Sequence, residues 1–292
     1  NTFDNTSYGE QTLRIPHIRR STVCHNTVKR PRAAKACVKI HGFNKDSWNV
    51  PSEKFVVSSN VFDNRSGVTG ITNLCEFGAG DGANREVTGA AIFENNIGYS
   101  ASDTADGQAM FGISSPSCMI RNNIFNCTVG TPSSSYKGAV FLGTNSGIVG
   151  VQTTGMSVYN NTMYTNAFPK QINGDGGHEY VTMVLITDRG DLSTTYGTIA
   201  VKNNLHYSTT ATINSANGYS VVNGSATATV DSATNTTDLR TNPNLTATPP
   251  VAYSDWKPTS GYAVNGGTPV PVVKDFLNVT RSGTFDIGAL QP

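Results

Sequence analysis

The residues best suited to chemistry lie in one basic segment near the beginning of the chain. Residues 11–45 hold nine of the 21 lysines and arginines and no Asp or Glu, although the whole chain has a formal net charge of only +1. This concentration of positive charge favours an anionic partner. A nucleic acid is disfavoured, because residues 11–42 contain no aromatic side chain that could stack on bases. An anionic polysaccharide fits better, and a solvated charge run is the alternative.

Two strand-like stretches in this segment place charged residues on one face. In Thr12–Ile15 and Cys37–His41, apolar residues alternate with Arg14, Lys39 and His41, so these three side chains are expected to point outward. Arg14 and Lys39 are 25 residues apart, close to one turn of the repeat described below. They are therefore expected to be neighbours on adjacent strands, about 4.8 Å apart.

Such neighbours could perform β-elimination on a uronate. The reaction neutralises the sugar carboxylate, removes the C5 proton and protonates the departing O4. Lys39 is the predicted base, because neighbouring positive charge favours loss of its proton, and Arg14 or Arg19 is the predicted partner of the carboxylate. His41 or His17 is the alternative acid or base. The residues expected to bind substrate are Arg19, His17, Arg20 and Lys35.

The elements that position these residues are predicted from a repeat of short apolar strands, each ending at an Asn. The pattern occurs at Asn1, Asn26, Asn60, Asn96, Asn123, Asn161 and Asn204. Matching register at irregular spacing predicts strands that stack on one another, with loops of different length leaving the stack. Stacked asparagines are expected to form a side-chain ladder, since Asn tolerates left-handed backbone and its amide can bond to the neighbouring turn.

We therefore predict an all-β fold, a right-handed parallel β-helix (solenoid) of about seven or more rungs. Residues 1–236 form the rungs, and residues 237–292, rich in Pro, Asn and Gly, form an irregular C-terminal cap over the last rung within the same domain. Residues 1–5 resemble the end of a strand and its corner. Part of an N-terminal rung is thus expected to be missing, and self-association through that uncapped rung is a further expectation.

Other features of the sequence lead to smaller expectations. No stretch approaches the roughly 20 apolar residues that a membrane span needs. The five cysteines lack zinc-site spacing, whereas Cys118 with Cys127, or Cys24 with Cys37, could form disulfides. Three tyrosines that follow corner asparagines form either an exposed aromatic stripe for sugars or a stacked ladder that stiffens the coil; they are Tyr99, Tyr164 and Tyr207.

The Asn-Asn corners and the closing stretch 281–290 (RSGTFDIGAL) resemble the pectate-lyase-like superfamily of right-handed β-helix proteins. Stretches 242–245 (NPNL) and 261–267 (GYAVNGG) resemble the region before that ending. The superfamily includes uronate lyases, glycoside hydrolases, epimerases, tailspikes and adhesins, so the resemblance implies fold more than function. Lys39 and Arg14 resemble the Lys–Arg pair of chondroitinase B and its alginate lyase relatives, with the order of the two strands reversed.

Those relatives hold calcium with acidic and amide side chains, which implies Glu76, Asp81 and Glu86 as candidate ligands; calcium is possible and no cofactor is required. The favoured function is a secreted or cell-surface lyase that cleaves an anionic, uronate-containing glycan. The alternatives are a non-catalytic glycan-binding adhesin, a tailspike or structural filament module, and a glycoside hydrolase. A hydrolase needs two carboxylates facing one groove, and the candidates are Asp81, Asp103, Asp106, Asp175, Glu179 and Asp188.

Overall fold

The computed structural model describes most of the repeat and the whole of the closing segment. The described residues are 1–4, 11–16, 19–30, 35–41, 43–44, 54–65, 73–78, 86–87, 90–100, 108–113, 117–127, 137–143, 155–165, 181–187, 195–209, 219–222, 227–236 and 241–292. Within them no helix is long and apolar enough to cross a membrane.

The regular secondary structure of the described chain is almost entirely β, arranged as three parallel sheets of seven strands each. Sheet 1 contains β2 (Leu13–Ile15), β5 (Val38–Ile40), β9 (Asn73–Phe77), β13 (Gln108–Ile113), β16 (Lys137–Gly143), β19 (Val181–Thr187) and β22 (Tyr219–Val222). Sheet 2 contains β3 (Arg20–Cys24), β7 (Lys54–Ser58), β11 (Ala90–Glu94), β14 (Cys118–Arg121), β17 (Met156–Tyr159), β20 (Thr195–Lys202) and β23 (Thr227–Ala233). Sheet 3 contains β1 (Thr2–Asp4), β4 (Thr27–Lys29), β8 (Val61–Asn64), β12 (Ile97–Ser100), β15 (Ile124–Cys127), β18 (Thr162–Thr165) and β21 (Leu205–Ser208).

Successive strands pass from sheet 1 to sheet 2 to sheet 3 and then return to sheet 1 one level along the stack. This confirms the predicted right-handed parallel β-helix. A two-stranded antiparallel ribbon, β6 (Phe43–Asn44) with β10 (Glu86–Val87), and one turn of 3-10 helix, Tyr253–Trp256, are the additions to the three sheets among the described residues.

The predicted register is also confirmed. Six apolar residues, each three positions before a corner asparagine, are partners on successive strands of sheet 2 and are buried: Val23, Val57, Phe93, Ile120, Val158 and Val201. Because every second residue of a strand points to the same face, these columns form one continuous apolar interior. Phe93 lies at the centre of an aromatic cluster there, with ring centroids 5.6 Å from Phe77 and 5.0 Å from Phe111.

The asparagine ladder runs between sheets 2 and 3. The backbone N–H and side-chain Nδ2 of each member donate to Oδ1 of the next, at 2.9 to 3.2 Å. Its fully bonded members are Asn26, Asn60, Asn96, Asn123, Asn161, Asn204 and Asn235. Asn1 joins through one longer bond of 3.4 Å to Asn26. Asn235 was not part of the predicted repeat, because the pattern weakens there.

The expectation that the ladder asparagine itself adopts left-handed backbone is wrong. The residue just before each ladder member has that conformation, with φ between 51° and 58°, at His25, Ser59, Asn95, Asn122, Asn160, Asn203 and Thr234. Asn is a low-cost choice at positive φ. An Asn-Asn corner therefore combines a left-handed turn residue with a ladder residue.

The closing segment 241–292 lies along the outer side of sheet 3. Trp256, which is fully buried, packs against Tyr164 with ring centroids 6.4 Å apart. Ile287 and Leu290 join the same apolar cluster as Ile97 and Leu205. The closing segment thus covers outward residues of sheet 3 that are apolar and are removed from water by it.

The three tyrosines are buried and do not form an exposed stripe: Tyr99, Tyr164 and Tyr207 have only 8%, 2% and 7% of their surface accessible, because the closing segment packs on them. Neither of the two disulfides considered from the sequence is present, and all five cysteines are thiols. Four of them are buried in the β-helix and behave as small apolar residues.

Candidate functional site

Arg14, Lys39 and Glu76 are register partners on β2, β5 and β9 and form a column on the outer face of sheet 1. The strands place them outward because their neighbours on both sides, such as Val38 and Ile40, point into the core and are fully buried. The spacing of Arg14 and Lys39 thus corresponds to one rung, as the sequence suggested.

The side chains of this column are joined to two others. Arg14 Nε donates to His41 Nε2 at 3.0 Å. Lys39 Nζ lies 3.6 Å from Glu76 Oε2, and Asn73 Nδ2 donates to Glu76 Oε1 at 3.3 Å. We call these five residues, Arg14, Lys39, His41, Asn73 and Glu76, the sheet 1 cluster.

Exposure differs within the sheet 1 cluster. Arg14 is exposed, whereas the side chains of Lys39 and Glu76 have 10% and 15% of their surface accessible, and His41 is 4% exposed. A polymer approaching sheet 1 would therefore meet the Arg14 guanidinium first. His41 must be neutral, with its proton on Nδ1, to accept the bond from Arg14. A neutral imidazole is the form that can take a proton.

Sequence reasoning missed two features of the cluster. The Lys39–Glu76 ion pair depends on the register between β5 and β9, which are separated by three intervening strands, β6, β7 and β8, with connections of unequal length. The position of Asn73 depends on Gly112, the next residue of the column, because a Cβ at Gly112 would lie 2.4 Å from Asn73 Nδ2. Glu76 between the buried Cys75 and Phe77 is the signal that could have identified an outward carboxylate there.

The predicted substrate-binding residues Arg19, Arg20 and Lys35 are not members of the sheet 1 cluster. Arg19 and Arg20 are exposed at the start of β3, where Arg20 is the register partner of Lys54, so positive charge continues onto sheet 2. Lys35 is half-buried just before β5. His17 lies outside the described residues.

Part of the basic segment is used in ion pairs. Arg30 donates to both carboxylate oxygens of Asp4 on the neighbouring strand of sheet 3. The hydrogen bond from Arg30 lowers the pKa of the Asp4 carboxyl, and the same bond raises the pKa of Arg30. Since both groups are exposed, this pair contributes little to stability.

Of the three candidate calcium ligands, Glu76 is the one whose side chain belongs to the described residues. Asp81 lies outside the described residues, as does the side chain of Glu86, and no three His, Cys, Asp or Glu side chains come together among the rest. A cation at Glu76 would lie beside the Lys39 ammonium, so the residues in place do not fit calcium. The carboxylates considered for a hydrolase, from Asp81 to Asp188, also lie outside the described residues.

Comparison with protein-family models, with curated proteins and with the solved structures gave no match.

Proposed function

We propose that this chain is a secreted or cell-surface polysaccharide lyase that binds an anionic, uronate-containing glycan across sheet 1 and cleaves it by β-elimination. The observation that carries the proposal is the exposed Arg14 guanidinium held 3.0 Å from His41 and in register with Lys39. The Asn-Asn corners and the closing stretch, which resemble the pectate-lyase-like superfamily, give the proposal its substrate class.

Each step of the elimination has a group in the sheet 1 cluster. Arg14 pairs with the uronate carboxylate, whose charge it neutralises while the adjacent C5–H becomes acidic. When Arg14 turns from His41 to the uronate carboxylate, it frees the single lone pair of the neutral imidazole, and His41 Nε2 then takes the C5 proton. The electron pair forms the C4=C5 double bond as the C4–O4 bond breaks, and O4 leaves with a proton from the Lys39 ammonium.

A second candidate, glycan binding without cleavage, is favoured by the Lys39–Glu76 ion pair. The Glu76 carboxylate lies 3.6 Å from the Lys39 ammonium and competes with a substrate carboxylate for it. It also repels an anionic ligand in part. In that case the sheet 1 cluster holds the glycan through Arg14 and leaves its glycosidic bonds intact.

The test is incubation of the full chain with alginate, pectate, chondroitin and heparin while ultraviolet absorbance of the unsaturated product is followed. Lyase action gives rising absorbance with at least one of them. Rising reducing ends without absorbance indicate hydrolysis and overturn the lyase proposal. Retained glycan without either change supports the binding candidate.

Variants connect the activity to the cluster. Arg14→Gln and His41→Gln are expected to lower the cleavage rate by about tenfold to a thousandfold, as is usual when a charge-stabilising or proton-transferring group is removed. Lys202→Gln is the matched control. Lys202 is also an outward cation, but it lies on sheet 2, is paired with Asp231 and is remote from the sheet 1 cluster. Equal activity in all three variants would show that the sheet 1 cluster does not carry out the cleavage.

A further inference from the structure

A polar cavity of about 190 Å³ lies between the outer face of sheet 2 and the closing segment. It is distinct from the sheet 1 cluster. The β-helix contributes Glu94 and Arg121, partners on β11 and β14, together with the corner residues that follow them. Its full lining is Glu94, Asn95, Arg121, Asn122, Val272, Val273, Lys274 and Asn278.

Hydrogen bonds within the protein hold the walls of the cavity in place. Arg121 Nε and Nη2 lie 2.8 and 2.7 Å from Glu94 Oε2, and Arg121 Nη1 donates to the Pro271 carbonyl at 3.2 Å. Asn122 Nδ2 donates to the Lys274 carbonyl at 2.6 Å. The cavity is therefore preformed, as small-ligand sites usually are.

Asn95 breaks a pattern that its three counterparts follow. The left-handed residues Asn122, Asn160 and Asn203 each donate their side-chain amide to a carbonyl of the closing segment, at Lys274, Asp286 and Thr268. Asn95 holds the equivalent corner but makes no such bond in the described structure. Its Oδ1 is buried without a hydrogen-bond partner among the described residues, as is Oδ1 of Asn160, so the difference at Asn95 lies in its Nδ2 group.

The chemistry of the lining favours a neutral, hydroxyl-rich ring. Nε and Nη2 of Arg121 both contact Glu94 Oε2, and the side chains of Arg121 and Glu94 are each 25% exposed. A carboxylate and a guanidinium therefore border the same space. A hydroxyl can donate to the first and accept from the second. Val273, which is 71% exposed, adds an apolar wall at the rim for the C–H face of a ring. Arg121 is already paired with Glu94, so an anionic ligand would meet the Glu94 carboxylate, which the exposed Lys274 offsets only in part.

We propose that this cavity binds a single neutral pyranose unit, with Asn95, Glu94 and Arg121 making the polar contacts. The site is independent of β-elimination at the sheet 1 cluster, and either can fail without the other. A cavity of this size admits one ring and excludes a polymer bound along its length.

The experiment titrates the full chain with the methyl glycosides of glucose, galactose and mannose and with glucuronate, using saturation-transfer and chemical-shift NMR. At least one methyl glycoside is expected to bind, and glucuronate to bind at least about tenfold more weakly than it. Absence of binding by all three methyl glycosides up to about 50 mM, a concentration that exceeds the usual limit of weak specific binding, would overturn the proposal. A preference for glucuronate would overturn it as well.

Paired variants locate the binding. Asn95→Gly removes the amide while keeping a residue that tolerates the φ of 55°, and Glu94→Gln removes the charged acceptor. Each is expected to weaken methyl glycoside binding by about tenfold or more. The controls are His25→Gly, at a corner with the same φ, and Asp231→Asn, in another outward ion pair of sheet 2; both should bind normally. Unchanged binding in Asn95→Gly and Glu94→Gln would contradict the assignment.

Discussion

Asn96 and Asn123, one rung apart, are joined twice. The backbone N–H and the Nδ2 of Asn96 both donate to Oδ1 of Asn123, each at 3.0 Å. Asn123 Nδ2 in turn donates to the Phe93 carbonyl and to Asn161 Oδ1. One side chain therefore satisfies several buried groups that water cannot reach, and it sets the vertical register of two rungs.

Replacing Asn123 with Ala is expected to lower the free energy of unfolding by about 2–5 kcal/mol, because buried donors and acceptors on Asn96, Phe93 and Asn161 lose their partner. Denaturant unfolding measures this change. The control is Asn244→Gly in the closing segment, where the exposed side chain bonds to Ser260 and Gly tolerates the φ of 54°. A cost below about 0.5 kcal/mol for Asn123→Ala would show that the ladder does not hold the stack.

His206 is expected to make the protein acid-sensitive. It points into the helix from β21, beside Met163 of β18, and burial lowers its pKa to about 3. Above pH 6.5 the imidazole is neutral in both the folded and unfolded states, so it has no effect. Below pH 6.5 the unfolded chain binds a proton that the folded chain does not, and stability falls by up to about 1.4 kcal/mol per pH unit until pH 3.

Comparison with His206→Met isolates this effect from the carboxylates. Unfolding is measured at pH 7 and pH 4 for both proteins. The wild-type chain should lose about 3 kcal/mol more than the variant between these two values. Parallel losses in the two proteins would mean that His206 is hydrated or already protonated in the folded state.

Trp256 is predicted to anchor the closing segment. Its ring is fully buried against Tyr164, so Trp256→Ala should reduce the free energy of unfolding by about 3–5 kcal/mol. Val251→Ala, at a site 73% exposed, should change it by less than about 0.5 kcal/mol. Thermal unfolding compares the two. Similar values would place the closing segment elsewhere than on sheet 3.

The cysteines are expected to react unequally. Burial raises the pKa of the Cys37 and Cys75 thiols, and Cys24 alone is half-buried, while the other four are buried. A thiol reagent should label Cys24 much faster than the rest in the native protein. Denaturant without reductant should then reveal five reactive thiols. A count of three or one would demonstrate disulfides and contradict the structure.

The sequence was sufficient for the stack but not for everything attached to it. Apolar residues at fixed distances from each asparagine predicted the register of Val57 with Phe93, because a strand repeats every two residues. The path of the closing segment was not predictable in this way, since Trp256 meets Tyr164 across many intervening residues and Pro-rich irregular backbone carries no period.

The candidate site was predictable to a similar extent. Arg14 and Lys39 could be placed together because one rung separates them. The Lys39–Glu76 ion pair could not be predicted, because the two residues are 37 positions apart, more than the spacing of Arg14 and Lys39, with three other strands between them. The Asn-Asn corners were correctly interpreted as architectural. Which of the two residues forms the turn and which forms the ladder could be assigned only from the φ angles and from the bonds to the closing segment.

The most direct test of β-elimination at the sheet 1 cluster is the mass of the oligosaccharides released from the best polyuronate substrate. We expect unsaturated products, each lighter by one water than the corresponding hydrolysis product, formed far more slowly by Arg14→Gln and at the normal rate by Lys202→Gln. Saturated products alone, or unsaturated products formed equally fast by Arg14→Gln, would contradict the proposed function.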